Sequence, residues 1–212
     1  MDAALSCRQV CDAVPLSFGT TPDVKLSIPA WTSSGFLPPH DAHAPVAANP
    51  RSPYKVTVAD LATQLVGTQA RRQIVEGLLK YRAGLHAVGL QEGFQWIDGS
   101  FCSDVEMLEG RPPGDIDVVT FVRVPAHVDP GQVVAAHPEL FEANLAKQTF
   151  MCDAYVVSLD TSPHLLVAQS AYWSGVWGHT RSGAWKGFLQ VDLDPAYDGV
   201  ASGLLAANGV AP

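Results

Sequence analysis

Apolar residues recur along this chain in two periods. Between Gln69 and about Val88, the residues Ile74, Val75, Leu78, Leu79, Leu85 and Val88 fall near a 3.6-residue spacing. That predicts a long amphipathic helix, with Gly89 as its stop. Just upstream, Thr57-Val58-Ala59-Asp60 offers a hydroxyl and an acid three residues apart, a capping box. Leu61 and Leu65 then share a face before Gly67-Thr68 interrupts. Further on the period shortens. Phe94–Ile97, Asp115–Val122 and Phe150–Leu159 are apolar and rich in β-branched residues, which predicts three buried strands. Positions 185, 189, 191 and 193 are apolar on one face and predict a fourth. Between the strands, Asp129-Pro130-Gly131 reads as a turn and Gln132–Ala136 as one short helical turn. A helix runs from His137-Pro138-Glu139 to about Lys147, turning Leu140, Phe141 and Leu145 inward. The tail after Asp194 is Ala- and Gly-rich and reads as a short helix or a frayed end.

This mixture of periods gives an α/β (α+β) class, a mixed β-sheet with helices packed on it. Residues 1–53 form an N-terminal extension with a Pro-rich loop, 54–195 the main domain, and 196–212 a C-terminal tail. With 47% hydrophobic residues the chain can bury a sizeable core. Its net charge of -8 argues against an extended footprint on nucleic acid. Arg71, Arg72, Lys80 and Arg82 are the densest basic group. They read as a solvated helix face, with an RNA or phosphate contact as the alternative. Asp104, Glu106 and Glu109, in the following loop, read as solvent-facing. No apolar run is long enough to span a membrane, and the first residues lack the pattern of a secretion signal. Cys7, Cys11, Cys102 and Cys152 are too dispersed for a disulfide framework, so a cytoplasmic protein with reduced thiols is expected. Cys7 and Cys11 lack two further ligands for a metal, and His40 and His43 read as solvated loop histidines rather than ligands.

Candidate chemistry concentrates in two short stretches. Side chains two apart on a strand share a face, so Asp115 and Asp117 project together while Ile116 turns into the core. Two adjacent carboxylates repel unless neutralised, and Mg²⁺ is suited to one or two carboxylates with phosphate oxygens and water. Gly99-Ser100 lies 16 positions before Asp115. There a glycine permits close backbone approach, and a hydroxyl and N–H groups can take phosphate oxygens. Asp98 is assigned to hydrogen bonding within that turn. Asp153 opens the next apolar strand. It reads as a third metal or base carboxylate in preference to a strand-start residue bonded to a turn. Trp173, Trp177 and Trp185 are core residues or a stacking platform for a base. Arg181 and Lys186 are surface charge or counter-charges for a triphosphate.

The order Gly99-Ser100, then Asp115-Ile116-Asp117 on an apolar strand, then Asp153, resembles the polymerase-β-like nucleotidyltransferase superfamily. The Leu37-Pro38-Pro39 segment is similar to one found ahead of the core in small bacterial and phage members. The resemblance implies a nucleotidyltransferase fold over residues 54–195. It also implies two Mg²⁺ ions, with Mn²⁺ as a substitute, held by Asp115, Asp117 and Asp153. Gly99 and Ser100 would hold a nucleoside triphosphate. The reaction it implies moves a nucleoside monophosphate to a hydroxyl of an RNA 3′ end, a protein or a small molecule. A toxin–antitoxin or phage-defence setting, with a partner protein, is a further implication. Many small members carry a basic residue soon after the Gly-Ser turn. Here Phe101 and Cys102 follow, so Arg181 or Lys186 would have to supply that charge. The alternatives are a catalytically inactive nucleotide-binding or regulatory protein on the same fold, and an interaction domain in which the two acids only cap a strand.

Overall fold

The computed structural model describes residues 28–40 and 51–207. Cys7, Cys11 and His43 lie outside them. The chain forms five strands, β1 (Tyr54–Val56), β2 (Gly93–Asp98), β3 (Ile116–Val122), β4 (Cys152–Ser158) and β5 (Leu189–Asp192). The main helices are α1 (Val58–Gln64), α2 (Gln69–Ala87), α3 (Val105–Glu109), α4 (Pro130–Ala136), α5 (Pro138–Phe141), α6 (Ala143–Phe150), α7 (Pro163–Trp177) and α8 (Asp198–Ala207). The sheet is mixed, in the order β1-β5-β2-β3-β4. Its central pairs β5–β2 and β2–β3 are antiparallel, and its outer pairs β1–β5 and β3–β4 are parallel.

Strand alternation sends two sets of side chains to opposite sides. Ile97, Ile116, Val118, Val122, Ala154, Leu189 and Val191 face the larger core. That core is filled by α2 through Ile74, Val75, Leu78, Tyr81 and Leu85, and by α1, α6 and α8. The other side carries Phe94, Trp96, Val119, Phe121 and Val157, covered by Phe188 and by Leu166, Trp173 and Trp177 of α7. Thr57 caps α1 through both halves of the capping box. Gly89, at φ 86°, follows the end of α2.

Several elements depart from the sequence expectation. Arg71 and Arg82 are buried rather than solvated. Arg71 donates to Glu106 and to the carbonyls of Phe101 and Ser103, with Trp31 5.0 Å from its guanidinium. Glu106 is therefore an ion-pair partner and not simply solvent-facing. The segment from Ser170 to Trp177, for which the sequence pattern predicts no element, is helical, part of α7. β4 begins at Cys152 because α6 runs on to Phe150 and ends through Met151 in the left-handed region. The helix expected from His137 to Lys147 breaks at the extended Glu142, giving α5 and α6. Leu37 is buried, and its carbonyl accepts from the Gly187 N–H at 2.7 Å, so the Leu-Pro-Pro segment is packed structure.

Candidate functional site

The interstrand register brings together acids that are far apart in the chain. Asp98 on β2 pairs with Asp117 on β3, and Asp117 pairs with Asp153 on β4. By alternation all three share the face of Trp96, Val119 and Tyr155, the face opposite α2. Asp115 sits just before β3 and adds its charge to the neighbourhood of Asp117. A row of carboxylates thus ends an otherwise aromatic sheet face.

The Gly-Ser turn meets this row directly. Gly99 has φ 86°, and a Cβ there would lie 2.8 Å from Cγ of Asp117 and 3.0 Å from both its oxygens. Only glycine lets the backbone pass so close to that carboxylate in that conformation. Ser100 follows, opening a single 3₁₀ turn to Cys102.

The charges are unevenly compensated. Asp98 is buried and accepts from the Lys186 ammonium through both oxygens. Burial raises its pKa to about 6 against the pull of Lys186 and the Gly99 N–H. Asp117 is raised to about 7 by burial and then by the charges of Asp98, Asp115 and Asp153, with Lys186 opposing. Asp115 pairs with Lys147 of α6, whose own pKa is raised chiefly by that hydrogen bond. Partial burial, together with the charge of Asp153 and a hydrogen bond to it, holds the Tyr155 phenol above its usual range. The free Cys102 thiol is pushed well up by burial.

Among the described residues no group of three or more His, Cys, Asp or Glu side chains is gathered closely enough to hold a metal by itself. Mg²⁺ asks less of a protein than that, since it keeps several waters and takes one or two carboxylates. The hard oxygen donors and the surplus negative charge around Asp117 fit such a site. Arg181 lies exposed in the turn from Thr180 to Ala184, and no described bond ties it to the row. Trp177 is buried core and Trp173 packs on it, whereas Trp185 is exposed with its ring 4.4 Å from His179.

Three residues here were not singled out as site residues from sequence. The sequence reading assigns Asp98 only to the turn, although its place two residues after Trp96 puts it on the same strand face. Lys147 and Tyr155 reach the acids only once α6 and β4 are folded against β3. Two cavities, of about 290 and 380 Å³, lie away from the row. The first is lined by Arg82, Asp192 and Tyr197, and the second by Val122, Val133, Phe141 and Val156. No helix among the described residues is long and apolar enough to cross a membrane.

Compared with known proteins, the chain matches over residues 29–192 a family described as "Family of unknown function (DUF6932)". It belongs to that family. No curated protein and no solved structure matches it.

Proposed function

We propose that this member of a family of unknown function is a metal-dependent nucleotidyltransferase, moving a nucleoside monophosphate from a triphosphate to a hydroxyl acceptor. The observation that carries the reading is the contact of Gly99 with Asp117, inside a row that also holds Asp98 and Asp153. A close approach of backbone to carboxylate and a surplus of carboxylate charge occur at one place.

Asp117, with one of its neighbours Asp115 and Asp153 rather than all three at once, would hold Mg²⁺ or Mn²⁺, waters completing the shell. When bound, the metal supplies charge neutralisation for the phosphates and for the oxygens that attack and leave. The chain's own residues do the rest. Gly99 keeps the turn open beside Asp117, and Ser100 offers its hydroxyl and N–H to phosphate oxygens. Lys186 brings a positive charge, held by Asp98, to the same face. An Asp153 oxygen accepts the acceptor's proton. Arg181, exposed on its turn, would add a further counter-charge.

Incubation with labelled nucleoside triphosphates, Mg²⁺ and cell extract tests this. Label should pass to an RNA, protein or small molecule, and the double change Asp115→Asn, Asp117→Asn should abolish it. Transfer that survives the double change removes this site from the chemistry. A second reading, nucleotide binding without turnover, is favoured by the two lysines that already pair Asp98 and Asp115. Calorimetry with a non-hydrolysable analogue, showing binding where no transfer occurs, would select it. The resemblance to small bacterial and phage members is what supports a toxin–antitoxin or phage-defence role.

A further inference from the structure

Two lysines compensate the acid row, and they differ in how firmly they are held. Lys186 is committed. Its ammonium donates to both oxygens of Asp98, and the two side chains are 11% and 3% exposed. Lys147 pairs with Oδ2 of Asp115, yet its side chain stays 52% exposed. The charges of Asp153 and Asp117 act on it as well, so its ammonium lies within the field of all three acids. The root of this arm is fixed. Ala146 anchors α6 in the core. The Lys147 carbonyl accepts from the Met151 N–H, and the Met151 carbonyl accepts from the Ile116 N–H, both at 3.0 Å. Lys147 is thus tied to the place where β3 and β4 both begin, beside Asp115 and Asp153.

A cation of the chain's own therefore stands against the Asp115 oxygen that a metal shared with Asp117 would use. An ammonium and a divalent ion repel one another across so short a distance and cannot both hold that oxygen. The contest is uneven. A half-exposed ion pair is weak and screened by salt. Mg²⁺ brings twice the charge and binds through one or two carboxylates with waters. The long lysine stem lets the ammonium swing into water without moving α6. Lys186, buried with Asp98, has no such exit.

We propose that Lys147 is an internal counter-ion that a divalent cation must evict from Asp115 before it binds Asp115 and Asp117 together, so that this lysine sets the metal affinity of the site. The proposal rests on the metal-binding part of the proposed function. Its probe is Mg²⁺ alone, titrated calorimetrically into the chelator-treated full chain. Lys147→Met keeps the stem and removes the charge, and should tighten Mg²⁺ binding about three- to fivefold. Lys80→Met makes the same charge change at an exposed position of α2, across the sheet from the row. It should leave the affinity unchanged. Amine acylation read by peptide mass spectrometry follows the exchange in the unaltered chain, and so stands even where Lys147→Met fails to fold. Paired with a carboxylate, a lysine amine acylates slowly. Released by Mg²⁺, Lys147 should label several-fold faster, and Lys80 at its former rate. A parent that binds Mg²⁺ no more weakly than Lys147→Met, or that binds it without faster labelling of Lys147, would overturn the exchange and leave the metal site standing. Absence of Mg²⁺ binding in both parent and Lys147→Met would overturn it together with the metal-dependent reading.

Discussion

On the helix-covered face of the sheet, Arg82 is fully buried with all its N–H groups in use. Its guanidinium donates to Asp198, to the Gln95 side chain and to the carbonyls of Asp192, Leu193 and Asp194. On the other face, Asp117 is half-buried, and its carboxylate has three acids for neighbours and no hydrogen-bond partner among the described residues. A charge whose bonds are all satisfied ties elements together, here α2, β2 and the start of α8. A charge crowded by its own kind is held there by the fold at a cost.

The comparison breaks most visibly at Arg82. Arg82→Ala strips partners from a carboxylate, an amide and three carbonyls at once. Removing one member of such a buried network should cost about 4 kcal/mol. Urea denaturation of the variant would measure it, and a loss under about 1 kcal/mol would mean that water replaces the network. Asp98→Ala comes next. It strands the largely buried Lys186 ammonium, and a loss of about 3 kcal/mol is expected in the same assay. Lys186→Met should be milder, because Asp98 can respond by taking up a proton.

Gly99→Ala sharpens the link between turn and carboxylate. The left-handed φ and the 2.8 Å approach to Asp117 act together. The expected loss is about 1–3 kcal/mol, with Mg²⁺-dependent stabilisation lost as well. Thermal melts with and without the ion would separate the two effects. If the variant melts lower yet responds to Mg²⁺ as the parent does, the turn supports the fold alone.

How much of this could be read from sequence depends on range. The long α2 and the capping box at Thr57 are local signals, and they appear as expected. The alternation that places Asp117 on the face opposite Ile116 is equally local. The meeting of Asp98, Asp117 and Asp153 is a matter of register between strands, which a single strand's pattern cannot contain. The burial of Arg82 was hidden for the same reason, since Asp198 lies 116 positions away. β1 has only three residues, Tyr54 to Val56, too few to establish a period. α7 escaped because, apolar on both its covered and its open side, it gives almost no periodic contrast.

The remaining expected effect is a gain. The Asp117 pKa stands at about 7 in the folded chain against an ordinary 3.8. Between those two values the folded state holds more protons than the unfolded one. Stability therefore falls as pH rises through that window and levels off above it. Asp98, raised to about 6, adds in the same direction at the lower end. Asp117→Asn removes the larger contribution, so its melting temperature should exceed the parent's at pH 8 in chelator, with the gap closing near pH 4. Mg²⁺ at 100 times its dissociation constant should then stabilise the parent by about 2.7 kcal/mol, and the variant by much less. A parent whose melting is independent of pH from 4 to 8 would mean that Lys186 and Lys147 already neutralise the row. In that case the asymmetry between the two faces of the sheet would be one of shape and not of charge.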